Sequence, residues 1–256
     1  MRQLKAFVLK EIKELIYTRK ILVLLVIFFG FGLLNPFIAK MTPFIFEHMG
    51  DSLKDQGMVV QAVEVNAIAS WSQFSKNFIM LLIVALIMFS GTITNEYQKG
   101  TLINMLTKGL PRWKVLVSKV FVQILTWSVC YWLTYGVTYF YTCYYWDNSI
   151  TNHCLLMGFL MYAVGLWIIS MLTLASTVFD SNVFVLLSSA AVFGLSYSLS
   201  MIPDLSKYLP TKLLSAGELL TGAASYSDFN YALIVLGVMS ALFFILSFMF
   251  FNKKRV

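Results

Sequence analysis

The chain is poor in charged residues, histidine and cysteine, and each scarcity excludes a class of protein. Only 12% of its 256 residues are charged, while 59% are hydrophobic, compared with about 25% and about 45 to 50% in soluble domains. One compact core of this length cannot bury so much apolar surface, so we expect lipid to solvate part of it. The two histidines, His48 and His153, stand far apart, and the three cysteines form no CxxC motif. Neither residue type predicts a metal site.

Motifs for enzymatic chemistry are also missing. No GxxxxGK[ST] phosphate-binding loop occurs, and no glycine is followed by lysine, so we expect no ATP hydrolysis by this chain. The long apolar stretches contain no carboxylate or histidine that could titrate as a general acid or base. The sequence therefore predicts a protein that is not an enzyme, with no catalytic residues, no cofactor and no metal of its own.

The apolar stretches predict an all-α integral membrane protein. Charge is costly at mid-bilayer, by at least ~2.5 to 3.5 kcal/mol per residue, so membrane spans should coincide with charge-free intervals. A helix needs roughly 17 to 20 residues to cross the hydrocarbon, and helices satisfy their own backbone groups in lipid. Six intervals are long enough: Ile21 to Ala39, Asn77 to Asn95, Val120 to Trp146, Cys154 to Phe179, Ser181 to Pro203, and Phe229 to Asn252.

The distribution of lysine and arginine predicts the orientation. These residues are concentrated in residues 1–20, in the connection after the second span, and at 253–255, and basic residues are retained on the cytoplasmic side. We therefore expect both termini to be cytoplasmic, in a multi-pass protein of a bacterial plasma membrane. The first apolar run lacks a cleavage site, so we expect a retained span and not a signal peptide.

Residues 1–20 predict an interfacial helix. Apolar residues from Leu4 to Ile16 recur with helical spacing. Basic residues lie elsewhere on this helix, where anionic lipid attracts them: Lys5, Lys10, Lys13 and Arg19. Two interpretations remain open, a plain membrane anchor and an elbow helix that also touches a cytoplasmic partner.

Residues 96–114, between the second and third spans, predict a short cytoplasmic helix. Gly100 can end the second span, Thr101 can cap a helix over Leu102 to Lys108, Gly109 can close it, and Pro111 can open the third span. An apolar surface that fits a groove on another protein would then be formed by Leu102, Ile103, Met105 and Leu106, with Lys108 at its end.

This connection resembles the loop signature of type-2 ABC exporter permeases. The resemblance lies in Glu96, Gly100, Thr101, Leu102, Leu110, Pro111, Arg112 and Lys119, and extends to the interfacial helix, the six spans and the segment before the last span. It implies a single transmembrane domain over 1–256 and a coupling helix that docks on separate ATPase subunits, which hold ATP and magnesium. It also implies a second permease copy, in a homodimer or heterodimer. The run Gly109, Leu110, Pro111 departs from the small-polar and proline run that is frequent in the family.

Two interpretations of Glu96 have equal weight. Its carboxylate can pair with Lys99 at the membrane surface, an interaction worth ~0.5 kcal/mol. It can instead reach the basic residues of the interfacial helix and latch the second span to it.

Three further features have alternative interpretations. A stripe at four-residue steps, Trp127, Tyr131, Tyr135 and Tyr139, can line a cargo cavity, although helix packing is favoured; the same choice applies to Ser196. Cys143 and Cys154 can form a disulfide or remain thiols. Residues 204–228 are too short to span the bilayer and predict a re-entrant external segment.

The sequence therefore predicts the membrane subunit of an ATP-driven exporter. Its aromatic and methionine content favours hydrophobic or amphipathic cargo, such as a drug or an antimicrobial or cytolytic peptide. Relatives such as the phenol-soluble modulin exporters of Gram-positive bacteria fit this expectation. The competing class is a membrane immunity or sensory subunit that binds a ligand without transporting it.

Overall fold

The chain folds into a bundle of helices. The structure is a computed structural model that describes residues 2–54, 65–102, 109 and 111–254, without the side chains of 2, 46 and 48–54. The α-helices in this part of the chain are α1 (Arg2–Tyr17), α2 (Lys20–Lys54), α3 (Ala67–Gln98), α4 (Arg112–Tyr145), α5 (Cys154–Val178), α6 (Asn182–Leu199), α7 (Pro203–Ser206) and α8 (Asn230–Lys253). The same described residues include three 3-10 helices, Asn148–Ile150, Pro210–Thr221 and Tyr226–Phe229.

Six of the described helices are long and apolar enough to cross a membrane, which confirms the predicted fold class. They cover Lys20–Ile45, Ala67–Gln98, Arg112–Tyr145, Cys154–Val178, Asn182–Leu199 and Tyr226–Lys253. Each overlaps one of the charge-free intervals. Length and hydrophobicity are local properties of the chain, which is why these helices can be found from sequence.

α2 and α3 extend beyond the charge-free intervals. α2 continues to Lys54 through two internal prolines, and α3 already begins at Ala67. Asn66 caps α3 by accepting a hydrogen bond from the Ala69 amide at 3.2 Å. A charged residue ends the apolar run without ending the helical hydrogen bonding, so charge is a poor marker of where a helix stops.

The main core lies among α3, α4 and α5. Its largest buried side chains include Trp71, Phe74 and Phe78 of α3, Trp127 and Tyr131 of α4, and Trp167 of α5. α6 and α8 are mostly exposed and apolar, as expected for helices that face lipid or a second membrane protein.

Polar side chains cross-link α2, α3 and α4 within this apolar bundle. Asn77 Nδ2 donates to Asn35 Oδ1 at 2.8 Å, and Asn35 Nδ2 donates to Thr138 Oγ1 at 3.1 Å. Thr134 Oγ1 donates to the Phe28 carbonyl at 2.8 Å. Interhelical hydrogen bonds of this kind fix which faces of membrane helices meet.

The segment before α8 folds back against the bundle. In the 3-10 helix Pro210–Thr221, six residues are buried: Pro210, Thr211, Leu213, Ala216, Leu219 and Leu220. The helix packs on α3, α5 and α8. The re-entry of residues 204–228 into the bilayer stays a prediction.

The start of α1 and the end of α8 lie at the same end of the bundle. Lys114 Nζ, near the start of α4, donates to Gln3 Oε1 at 2.7 Å. Arg112 Nη1 donates to the Phe251 carbonyl near the end of α8 at 3.1 Å. Leu102 and Arg112, on the two sides of the α3–α4 connection, lie at this end as well.

Candidate functional site

A small hydrophobic cluster holds the start of the α3–α4 connection against four helices. It consists of Phe7 of α1, Ile93 of α3, Leu102, Val115 and Leu116 of α4, and Phe251 of α8. Leu102 is 0% exposed. The prediction that Leu102 offers a surface to another protein is therefore wrong. Its side chain turns inward after the turn at Gly100, where burial in this cluster removes it from water.

The turn before Leu102 has the geometry that the sequence predicts. α3 ends at Gln98, and Gly100 has φ +66°, a left-handed conformation that favours glycine after a helix end. Thr101 and Leu102 are helical, and Thr101 is half-buried. Gly109 also has a positive φ, +82°. Pro111 precedes the first residue of α4.

The remaining predicted coupling residues lie outside the described residues: Ile103, Met105, Leu106 and Lys108. Their assignment to a docking helix stays a prediction.

Glu96 joins α3 to the N-terminal helix. Its Oε1 atom lies 2.6 Å from Lys10 Nζ on α1 and 3.1 Å from Lys119 Nζ on α4. Its side chain is only 7% exposed, whereas Lys99 is exposed. The structure thus has the latch to the interfacial helix, not the surface pair with Lys99.

Glu11 and Lys119 complete a buried charge cluster that sequence reasoning missed. Lys119 Nζ lies 2.9 Å from Glu11 Oε2 and donates to the Thr92 carbonyl at 3.1 Å. Both side chains are nearly inaccessible, 2% for Lys119 and 6% for Glu11. The sequence does indicate that Glu11 is buried, because it stands four residues after Phe7 and four before Leu15, on the apolar face of α1.

Lys10 has carboxylates on three sides. Its Nζ atom lies 2.9 Å from Glu11 Oε1, 2.8 Å from Glu14 Oε2 and 2.6 Å from Glu96 Oε1. Burial alone lowers the pKa of Lys10, but the hydrogen bonds to Glu14, Glu96 and Glu11 outweigh it and raise that pKa. For Glu14, burial raises the pKa, but the hydrogen bond from Lys10 and its positive charge produce a net lowering.

The other basic residues predicted for the elbow helix differ from Lys10. Lys5, Lys13 and Arg19 are exposed. Arg19 has φ +56° and separates α1 from α2. One face of α1 therefore docks on the bundle through Lys10 and Glu11, while its other basic residues remain available to lipid headgroups or to another protein.

Arg112 caps the last helix. Its Nη1 atom donates to the carbonyls of Phe251 at 3.1 Å, Asn252 at 3.2 Å and Lys254. A cation is stabilised there, because the last carbonyls of a helix lack helical partners and carry its negative dipole end. Arg112 thus has a structural contact within the chain, which joins the start of α4 to the end of α8.

The aromatic stripe of α4 packs in the core over most of its length. Trp127, Tyr131 and Tyr135 are buried, whereas Tyr139 is 40% exposed. Trp127 lies against Gly165 of α5, where a Cβ atom would come within 2.1 Å of its ring. The stripe therefore serves helix packing, and the idea that all four rings line a cargo cavity within one chain is wrong.

Ser196 has a structural contact, and the cysteines are not bonded to each other. Ser196 is buried, and its carbonyl accepts a hydrogen bond from Thr211 Oγ1 at 3.0 Å, so it ties α6 to the 3-10 helix Pro210–Thr221. Cys143 and Cys154 are free thiols, which excludes the disulfide alternative in this structure. Cys154 Sγ lies 3.4 Å from the Tyr135 hydroxyl.

These contacts place the α3–α4 connection between two fixed points. Leu102 anchors its beginning to α1, α4 and α8, and Arg112 anchors its end to α8. Both sides of this connection are thus anchored to a bundle whose described residues include six candidate membrane spans.

The comparison with known proteins assigns the chain to a family. Residues 6–256 match the family model described as ABC-2 family transporter protein, and the chain belongs to this family. Membership supports a permease role in the membrane and implies association with an ATPase subunit, and the predicted family resemblance is confirmed. The chain is also 26% identical over 210 residues, 77% of each protein, to the "Uncharacterized transmembrane protein YxlG" of Bacillus subtilis (strain 168).

Proposed function

We propose that the protein is the permease subunit of an ATP-driven ABC exporter, that two permease subunits form the pathway, and that separate ATPases drive it. The observation that carries the proposal is the anchoring of the α3–α4 connection through Leu102 and Arg112. Both termini and this connection are assigned to the cytoplasmic side because of their basic residues.

The buried contacts provide a route for coupling. A displacement of the connection by an ATPase would reach α3 and α4 directly, because they flank it. Leu102 would pass the displacement to α1 and α8 through the hydrophobic cluster. Glu96 would pass it to α1 through Lys10. Packed interfaces of this kind move as units and do not deform gradually.

A second permease copy has suitable surfaces on the outer helices. α8 exposes a series of large apolar side chains: Leu233, Ile234, Val238, Leu242, Ile245 and Met249. Part of this surface would contact lipid and part a second copy. Homodimerisation would be measured by cross-linking or by mass measurement in native nanodiscs.

The proposed cargo is an amphipathic peptide or a hydrophobic drug. A groove of ≈ 700 Å³ between the outer ends of α4 and α5 is lined by residues including Tyr135, Tyr139, Trp146 and Asp147. Aromatic walls suit an apolar cargo surface, and the Asp147 carboxylate suits a cationic group. Tyr139→Ala should raise the cargo concentration needed for half-maximal ATPase stimulation. Leu155→Ala, at the same groove, removes side-chain volume but no aromatic ring. It therefore separates the effect of the lost aromatic contact from the effect of the lost volume.

The docking site is tested with two substitutions in the predicted coupling helix, Met105→Asp with Leu106→Asp. Loss of co-purification with the ATPase, at normal permease yield, is the expected result. The matched control is Leu205→Asp in α7, an exposed leucine of a short helix. Leu102→Asp is unsuitable as a docking test because the side chain is buried and its charge would disrupt the cluster.

The whole proposal is tested by reconstitution with the ATPase in proteoliposomes. Cargo should stimulate ATP hydrolysis and accumulate on the far side of the membrane. Cargo binding without stimulation or transport would instead indicate the immunity or sensory subunit. Labelling of a cysteine at position 108 or 112 from outside the cell would contradict the orientation and the proposal.

A further inference from the structure

The short connection between α5 and α6, residues 179–181, is attached to the end of α3. Gln98 Nε2, on the last residue of α3, donates to the Asp180 carbonyl at 3.1 Å. Asn182 Nδ2, at the start of α6, donates to Asn95 Oδ1 at 2.6 Å. Asn95 and Gln98 stand three residues apart and therefore share one face of α3. The last turn of α3 thus holds the α5–α6 connection just before the α3–α4 connection begins.

The approach of α3 to the start of α6 is close enough to require a glycine. A Cβ atom at Gly91 would lie 2.7 Å from Asn95 Nδ2 and 3.2 Å from Asn182 Nδ2. Thr94 Oγ1 also donates to Asn182 Oδ1, so the amide of Asn182 both donates to α3 and accepts from it. A side-chain amide that uses its nitrogen and its oxygen on one helix is fixed in orientation. The start of α6 is therefore held firmly on α3.

Lys254, the residue after α8, is a second attachment for the same connection. Its Nζ atom lies 2.5 Å from Asp180 Oδ1 and donates to the Phe179 carbonyl at 3.4 Å. It also lies 4.4 Å from the centre of the Tyr97 ring, whose π-electrons attract a cation. The Lys254 side chain is only 14% exposed, although that of Asp180 is 76% exposed. The ammonium group is therefore positioned by several contacts and not by one surface ion pair, which alone contributes little.

Both attachments lead back to the α3–α4 connection. Gln98 precedes this connection directly, and Arg112, the first residue of α4, follows it. Arg112 Nη1 donates to the backbone carbonyl of Lys254, while the side chain of Lys254 pairs with Asp180. The α5–α6 connection is thus tied to both flanks of the α3–α4 connection. We call this set of contacts the clasp; its residues are Asn95, Gln98, Asp180, Asn182 and Lys254.

We propose that the α5–α6 connection is a second coupling element, and that Lys254 is the positioning residue that makes it move with the α3–α4 connection. The inference rests on the proposed function, because it adds helices to those that an ATPase would displace. The hydrophobic cluster and Glu96 lead to α1, α3, α4 and α8, and the clasp adds a direct route to α5 and α6. Since α5 also packs on the 3-10 helix Pro210–Thr221, a displacement would continue towards the segment before α8.

The mechanical link is tested by hydrogen exchange of the purified full-length protein in detergent, without ATPase. The two amides to follow lie on either side of the connection: Phe179 donates to the Ala175 carbonyl at 2.8 Å, and Val185 donates to the Ser181 carbonyl at 3.1 Å. Lys254→Met should accelerate both by about fivefold or more, because an ion pair and a cation–π contact are lost together. Lys254→Arg keeps the charge and should exchange as the wild type does.

Arg112→Gln tests whether the link continues to α4. Loss of its hydrogen bond to the Lys254 carbonyl should also accelerate exchange at Phe179 and Val185, but should add nothing once Asp180→Asn has weakened the ion pair. The matched control is Lys253→Met, an exposed lysine one residue earlier, which should leave both amides unchanged. Wild-type exchange of both amides in Lys254→Met and in Arg112→Gln would overturn the proposal.

The coupling role is tested with the ATPase in proteoliposomes, with a fluorescent cationic amphipathic peptide as the probe. Lys254→Met should still bind the ATPase but lose most of the stimulation of ATP hydrolysis by the peptide, and Lys254→Arg should keep it. Wild-type stimulation in Lys254→Met, together with accelerated exchange, would show that the clasp is only structural and would overturn the coupling role. Absence of stimulation in the wild type would contradict the proposed function itself, and the exchange data, which need no ATPase, distinguish these two failures.

Discussion

Lys119 Nζ lies 2.9 Å from Glu11 Oε2 and 3.1 Å from Glu96 Oε1, so one ammonium group on α4 pairs with carboxylates from both α1 and α3. All three residues are at most 5% exposed. Removing one partner of a buried pair leaves an uncompensated charge, which costs more than the pair itself contributes. The cluster therefore makes the docking of α1 sensitive to single substitutions.

Lys119→Met should strongly destabilise the protein, by about 3 to 5 kcal/mol, because two buried carboxylates lose their shared donor. Glu11→Gln should recover part of this loss in the double variant. A double-mutant cycle of unfolding free energies in detergent measures the coupling. Additive effects of the two substitutions would show that the observed ion pair does not contribute.

The contacts of Lys10 with Glu14 predict how stability depends on pH. The pKa of Glu14 is lowered from its ordinary 4.5, so its stabilising contribution is complete above pH 4.5 and is lost as pH falls through the lower folded pKa. The pKa of Lys10 is raised from 10.5, so its contribution is complete below pH 10.5 and is lost as pH rises through the higher folded pKa.

Tm measurements at different pH values check this dependence. The Tm difference between wild type and Glu14→Gln should be constant near neutral pH and shrink on acidification below 4.5. The difference between wild type and Lys10→Met should shrink only above pH 10.5. If the Tm difference between wild type and Glu14→Gln grew on acidification, the pH dependence would be opposite to the one expected from a lowered Glu14 pKa. That result would contradict the stabilising contact between Glu14 and Lys10.

Gly165→Ala should destabilise the contact between α4 and α5. An added Cβ atom would lie 2.1 Å from two carbon atoms of the Trp127 ring, which is itself buried in the core. Overpacking of this kind costs roughly 1 to 3 kcal/mol. Gly194→Ala is the matched control, because a Cβ atom there meets nothing within 4 Å. It should leave Tm unchanged or raise it slightly, since alanine favours helix more than glycine. Equal Tm changes for both variants would contradict the close packing.

Arg112→Gln should loosen the end of α8. The guanidinium group donates to three terminal carbonyls, and hydrogen bonds to charged groups contribute about 1.5 to 3 kcal/mol. Hydrogen exchange near residues 250–254 should therefore accelerate by about tenfold or more. Arg19→Gln, an exposed arginine, serves as the control and should leave this exchange unchanged. Unaltered protection in Arg112→Gln would show that the cap does not stabilise the helix end.

The sequence by itself determined the membrane class, the six spans and the turn at Gly100. Each of these depends on local properties: the length of an apolar run, the absence of charge, and the freedom of glycine at positive φ. The loop residues around Glu96 also determined the family resemblance, which the match over residues 6–256 confirms.

Only the tertiary structure decided which neighbour each functional side chain meets. The local sequence around Leu102 is the same whether its side chain docks on a partner or turns inward. Its burial depends on Phe7 and Phe251, which are far away in the chain. The aromatic residues of α4 likewise share one helix face in either interpretation, but Trp127 packs because Gly165 leaves room for its ring. Helical periodicity shows which residues share a face of a helix. Which surface packs against that face depends on how helices that are distant in the sequence assemble.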